Sequence, residues 1–312
     1  MTEGEEAQFQ LVGVALSFAL SLRIPYPPPM AFEDLKHWFQ DRMGGKPAPA
    51  VAVLRLEGVI GGRGLRGLTL QRMAHVIERA FKLRNLKAVA LAVNSPGGAP
   101  VQSALLYRRI RQLAAEKKIP VFAFAEDVAA SGGYWLLLAG DEIYADAASI
   151  VGSIGVVTSS FGFAEVLKRL GIERRLHTSG RDKSLLDPFL SEDPREVERL
   201  ERLQRDLHEI FKSEVEERRG TKLSKTAELF EGEIFSGRRA VELGLVDGLG
   251  ELRGVMRERF GESVRLRMFE SARARRWWRL PGVGRARSGI GDLLDEIVGA
   301  VEERLHWNRF GL

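Results

Sequence analysis

Two glycine-rich turns and one lysine loop hold the residue types in this chain best suited to covalent chemistry. The first turn, Asn94-Ser95-Pro96-Gly97-Gly98, directly follows the apolar run Ala88–Val93. Proline sets the entry to such a turn, and paired glycines let the backbone reach positive φ and bring bare N–H groups close to a ligand. At the carboxyl end of a parallel strand this makes a cradle for an anion or oxyanion. An ordinary strand-to-helix connection would use the same residues. No Gly-Lys-Ser/Thr follows, so it is not a phosphate loop. The second turn, Ala130-Ser131-Gly132-Gly133-Tyr134-Trp135, lies between the run Val121–Phe124 and an expected apolar helix over Tyr134–Ala139. Ser131 would sit at the positive end of that helix dipole, beside glycines that admit a substrate. It would equally serve as a plain helix N-cap.

A serine nucleophile needs a base. The five histidines are His37, His75, His177, His208 and His306. None lies in a glycine-rich turn or beside an orienting acid, and His75, His208 and His306 fall in charged amphipathic stretches. That argues against a Ser-His-Asp arrangement. Lysine is the alternative, provided burial or a nearby cation keeps it neutral. Lys183 stands in the loop Thr178-Ser179-Gly180-Arg181-Asp182-Lys183-Ser184, after an expected strand at Arg175–His177. Composition and spacing alone leave it open as a base or as a solvated loop lysine.

The elements that must position these residues follow an alternating pattern. Val51–Leu56, Ala88–Val93 and Val121–Phe124 read as short buried strands, while Leu68–Arg84 and Gln102–Lys117 read as amphipathic helices. Continuous apolar strands between helices indicate parallel βαβ units with both sheet faces covered, hence an α/β fold. Glu196–Arg219 reads as a long charged helix. At 312 residues with 45% hydrophobic and 29% charged residues the chain has globular values, and no internal repeat is present. Zero cysteines exclude disulfides, thiolate catalysis and Cys-ligated metal. The net charge of +5 is local: Arg273, Arg275, Arg276, Arg279, Arg285 and Arg287 lie together without an acid, and the rest is slightly acidic.

Six segments in order resemble the signal peptide peptidase A family of Ser/Lys proteases, short single-repeat form, which has the Clp-protease/crotonase-like fold. They are Val51–Ile60, Asn94–Gly98, Ala130–Tyr134, Gly152-Ser153-Ile154-Gly155-Val156, Ser179–Phe189 with its Lys-Ser-x-x-Asp-Pro-Phe ending, and Phe235–Gly250. The resemblance implies Ser131 as nucleophile and Lys183 as general base, separated by 52 residues. It implies an oxyanion hole from the N–H of Gly132 and of Gly97 or Gly98, and a substrate cleft along Gly152, Ser153, Ile154 and Gly155. Hydrolysis of peptide bonds through an acyl-enzyme, without metal or cofactor, would follow. Signal-peptide remnants or membrane-derived peptides would be the substrates, with Ala, Val or Leu favoured at the cut by small apolar side chains in a cleft near Ile154–Val157. Short members assemble into a homo-oligomeric ring or dome in which the lysine can come from the neighbouring subunit. The alternatives are a protease dedicated to one membrane-protein partner, a non-catalytic scaffold, and an acyl-CoA enzyme of the crotonase type; the last has no obvious task for a Ser/Lys pair.

Three parts are expected: 1–50, an apolar helix and linker; 51–269, the peptidase domain; and 270–312, a basic, Trp-containing segment with an amphipathic helix. Phe9–Ile24 is apolar but interrupted by Gln10, Ser17, Ser21 and Arg23, and is shorter than the roughly 20 residues a spanning helix needs. No basic region precedes it, against a signal peptide. It suits a short membrane anchor or a helix packed on the protein. Trp277 and Trp278 within the arginine cluster suit an anionic membrane surface, and Ile290 to Leu305 carries apolar residues at helical spacing, which equally suits a helix packed on the body or on a neighbouring subunit. Nucleic acid is not an expected partner, and membrane association is expected with its side open. Glu233, where the family often has a basic residue, departs from the pattern.

Overall fold

The computed structural model describes residues 48–61, 67–180, 183–225, 227–271 and 304–311. Expectations for the N-terminal apolar run and for the arginine- and tryptophan-rich stretch lie outside these residues. All but Ala48 belong to the compact unit Pro49–Leu312.

Alternating strands and helices build one eight-stranded sheet. Its strands are β1 (Ala50–Glu57), β2 (Leu86–Ser95), β3 (Val121–Ala130), β4 (Glu142–Ala145), β5 (Ile150–Gly152), β6 (Ile234–Ser236), β7 (Gly248–Leu249) and β8 (Arg265–Phe269). The order is β6-β5-β3-β2-β1-β8, with β4 pairing both β3 and β7. Every pairing is parallel except β5 with β6. The α/β expectation is met.

The strands are apolar on both faces because both are covered. On one face Leu54, Leu56, Leu91 and Val93 pack with α1 (Leu70–Phe81) and α2 (Pro100–Lys117). On the other, Val51, Val53, Ala90, Phe122 and Phe124 pack with Val255 and Met256. Helix α1 buries Met73, Val76, Ile77, Ala80 and Phe81, the spacing of a single apolar stripe. Proline begins α2, where its missing N–H has no intrahelical partner to lose.

Strands β2 and β3 run beyond the apolar runs that announced them, through Asn94-Ser95 and through Glu126–Ala130. Backbone pairing carries β2 on through Asn94 and Ser95, while β3 resumes pairing at the buried Val128 after the unpaired Glu126 and Asp127. The strand expected at Arg175–His177 is absent: these residues are exposed coil with no neighbouring strand to take up their N–H and C=O groups. They belong to a stretch containing α4 (Ala164–Arg169), which buries none of its residues. The long helix α5 (Pro194–Arg219) follows, capped by the Asp193 side chain.

The far end of α5 is tied to the body by a buried ion pair. Arg219, 4% exposed, donates to both oxygens of Asp247 at 2.9 and 3.1 Å and to the Gly244 carbonyl at 2.8 Å. Asp247 also accepts from Lys222 Nζ at 2.7 Å and from the Ile143 N–H at 2.8 Å. Burial would raise the Asp247 pKa, but hydrogen bonds from Arg219, Lys222 and Ile143 outweigh it and hold the carboxyl below its ordinary value. Replacing Arg219 by Met is expected to destabilise the protein by about 3 kcal/mol, because Asp247 keeps its burial and loses its main partner. A lowered folded pKa contributes stability above the unfolded carboxylate range and loses it as pH falls through the folded value. Denaturant melts should therefore show the Arg219→Met penalty at neutral pH and a shrinking penalty below about pH 4.

Candidate active site

The carboxyl ends of β2 and β3 lie side by side, and each passes directly into one of the two glycine-rich turns. After Ser95, the Pro96-Gly97-Gly98 turn is stitched to the end of β1. Gly58 N–H donates to Asn94 O at 2.9 Å, Ile60 N–H to Gly97 O at 2.8 Å, and Ala99 N–H to Ile60 O at 2.8 Å. The wholly buried Ser95 hydroxyl donates to Gly58 O at 2.7 Å and accepts the Gly97 N–H at 3.2 Å.

After Ala130 comes Ser131, at φ +53 and ψ −121, a conformation L residues rarely take. Such strain persists only where the surroundings enforce it. Here they do: Ser131 N–H donates to Gly152 O at 2.8 Å, and helix α3 (Gly132–Leu137) begins at once. That helix is fully buried and anchored twice. Tyr134 Oη donates to Leu245 O at 2.8 Å, and Trp135 stacks on Phe211 of α5 with centroids 4.6 Å apart. Burial pushes the Tyr134 phenol pKa well up, so it stays a neutral donor. Ser131 occupies the N-cap position, but its side chain makes no capping hydrogen bond.

The two turns touch with nothing between them. A methyl group on Gly97, whose φ is +103, would stand 2.8 Å from Ser131 Cβ and 3.0 Å from Gly132 N. One on Gly132 would collide with Ser103 Oγ and come 3.4 Å from Gly98 N. Among the described residues neither the Gly98 nor the Gly132 N–H donates to a protein acceptor. Ser131, Gly97, Gly98 and Gly132 are thus brought together, with two free N–H donors beside a partly exposed hydroxyl.

The Gly152–Gly155 segment adjoins them through Gly152 O. Ser153 N–H donates to Glu233 O at 2.7 Å, and a methyl on Gly155 would reach Gly232 Cα at 3.2 Å. Ile154 is wholly buried. Its carbonyl lies 3.2 Å from His208 Nε2, which places His208 against this segment and not on an open helix surface. Nothing in the local sequence signals that contact. Lys183 is exposed and makes no hydrogen bond to Ser131. Its stretch carries Val157, Phe161, Leu170 and Ile172 more than half exposed. Internal order comes from the Phe163–Phe189 contact and from Arg174, placed over the Phe189 ring.

A family model described as peptidase family S49 matches residues 114–261. The slr0021 protein of Synechocystis sp., named as a candidate protease, is 32% identical over 200 residues, covering 64% of this chain and 69% of that protein. The chain belongs to peptidase family S49. The chloroplastic serine protease SPPA of Arabidopsis thaliana is 29% identical over 71% of this chain and 33% of its own length. A protein of Brucella abortus named Na(+)/H(+) antiporter NhaA is 47% identical over 84% of this chain but only 37% of its own length. The chain thus spans about a third of these two longer relatives. Among its described residues no helix is long and apolar enough to cross a membrane.

The backbone of Ser131 supplies a stability test. Ser131→Ala should change unfolding free energy by less than about 0.5 kcal/mol, whereas loss of a working N-cap costs about 1. Ser131→Gly should raise it by about 1 kcal/mol as the positive-φ strain is released. Equilibrium urea unfolding of both variants beside the wild type measures these differences.

Proposed function

We propose that this S49 family member is a serine endopeptidase in which Ser131 attacks a peptide carbonyl and Lys183 is the general base. The carrying observation is Ser131 itself, strained to positive φ, with its hydroxyl free of capping and its Cβ against the Gly97-Gly98 turn. The N–H groups of Gly98 and Gly132 would hold the oxyanion. The Gly97 N–H is engaged by Ser95, which favours Gly98 as the second donor. Each such donor is worth on the order of 100- to 1,000-fold in turnover.

In this mechanism Ser131 Oγ gives its proton to neutral Lys183 as it bonds to the carbonyl carbon. The tetrahedral intermediate collapses, and Lys183 returns the proton to the leaving amine. Lys183 then takes a proton from water, whose oxygen attacks the acyl carbon; as the ester bond breaks, Lys183 returns that proton to Ser131 Oγ. These steps use only side chains and backbone of the chain and call on no metal or cofactor.

A general base works shielded from bulk water, and Lys183 is exposed in the single chain. The exposed apolar side chains around Lys183 support assembly: a second copy covering Val157, Phe161, Leu170 and Ile172 would bury the stretch and bring a lysine to a serine. An extended peptide beside Gly152–Gly155 is the substrate form, with signal-peptide remnants or membrane-derived segments as the class. Attachment to a membrane rests on the sequence of 9–24 and 273–310 alone. The antiporter name of the Brucella relative is not carried over, since the match covers a minor part of that longer chain.

A fluorogenic Ala/Leu-rich peptide tests the proposal. Wild type is expected to cleave it, while Ser131→Ala and Lys183→Ala each lose at least about 1,000-fold in kcat. Mixing the two inactive variants should restore part of the activity if one site draws on two copies. Equal cleavage by all three proteins would overturn the dyad. Inactive wild type would favour a protease dedicated to one membrane-protein partner, or a scaffold.

A further inference from the structure

We propose that Asn94 is a positioning residue for Ser131, its carboxamide clamping the bulge in β3 that aims the nucleophile at the Gly97-Gly98 turn. The proposal rests on the reading of Ser131 as nucleophile. Strands β2 and β3 pair in step up to Val93 with Ala125, and the next pair is Ser95 with Ala129. Asn94 alone therefore stands opposite Glu126, Asp127 and Val128, so β3 carries two extra residues there. A bulge bends its strand and interrupts the ladder.

At the bend β3 changes neighbours. Phe122–Ala125 pair with β4, whereas Val128–Ala130 pair with β5. The direction of the last three residues, and so of Ser131, depends on how the bulge is held. Asn94 holds it with both ends of its side chain. Its Oδ1 accepts the Val128 N–H at 3.2 Å, and its Nδ2 donates to Asp127 Oδ2 at 2.9 Å. Arg55 from β1 takes the other acid of the bulge, Glu126, at 3.2 Å.

The Asn94 carbonyl meanwhile accepts the Gly58 N–H at 2.9 Å, and Asn94 opens the turn that contains Gly97 and Gly98. One residue thus joins both halves of the site: its main chain anchors the oxyanion turn, and its side chain grips the strand three residues before Ser131. Only an amide does this, because Val128 needs an acceptor and Asp127 needs a donor. Asp at position 94 would keep the acceptor and set two carboxylates against each other. A displacement of about 1 Å in a reacting group can cost on the order of 100-fold in rate.

The test compares wild type, Asn94→Asp, Asp127→Asn, the Asn94→Asp/Asp127→Asn double variant and Ser131→Ala. Readouts are the labelling rate by a small fluorophosphonate, kcat and KM on the fluorogenic peptide, and thermal melts. Asn94→Asp should lower the labelling rate and kcat by about 10- to 100-fold with KM changed less than about 2-fold. Adding Asp127→Asn reverses donor and acceptor, rebuilds the pair, and should recover most of the loss. If Asn94→Asp does not fold, the folded double variant with kcat close to that of Asp127→Asn gives the same support. Wild-type kcat in Asn94→Asp, or a double variant no faster than Asn94→Asp, overturns the positioning role alone. Unlabelled wild type, or Ser131→Ala labelled equally fast, overturns the nucleophile and the positioning role with it.

Discussion

Two backbone turns in contact, with no side chain between them, form the constraint on which the rest of this structure depends. Gly97 lies so close to Ser131 and Gly132 that a single methyl group would overlap both. Closeness of that kind cannot come from the turns themselves. It requires that β2 and β3 be adjacent, parallel and in a definite register, so that both end at the same edge. It also requires that each turn be held from behind. Ser95 and the end of β1 hold one; Gly152, Leu245 and Phe211 hold the other. The buried two-faced sheet supplies the rigidity, and the positive φ of Ser131 is the local strain that this rigidity sustains.

The same logic explains how the polar residues are distributed. In the interior, Ser95 and Arg219 are buried only with their hydrogen bonds made. Arg219 and Asp247 secure the end of α5, and α5 in turn supplies Phe211 to the helix behind Ser131 and His208 to the Ile154 carbonyl. Nearer the site, Asn94 and Arg55 each take one acid of the β3 bulge. The Lys183 stretch is built differently. It leaves Val157, Phe161, Leu170 and Ile172 in solvent, and its helix α4 buries none of its residues.

The chain alone made much of this legible. The α/β class followed from apolar runs alternating with helical periodicity, because a strand buried on both faces needs no polar residues. The family was legible as well, since six short segments in a set order are far more specific than any one glycine turn. The ends of β2 and β3 were not legible, because Asn94-Ser95 and Glu126-Asp127 are polar: main-chain pairing carries β2 on through Ser95, and β3 resumes pairing at Val128 after its bulge. The strand expected at Arg175–His177 failed because three residues read locally cannot supply a pairing partner. The His208 contact joins residues 54 apart, and local spacing carries no trace of it.

What the sequence determined by itself was the chemical inventory: a serine before paired glycines, a proline-glycine turn, a loop lysine, no cysteine. Local rules are enough for that, since turn conformation and helix starts depend on a few neighbouring residues. Tertiary structure decided the rest. It put the Gly97-Gly98 turn against Ser131, engaged the Gly97 N–H and left that of Gly98 free, and took Ser131 away from a capping role. It also left Lys183 at the surface. These outcomes depend on strand register and on the change of partner at the β3 bulge, which only the packing of the whole sheet can set.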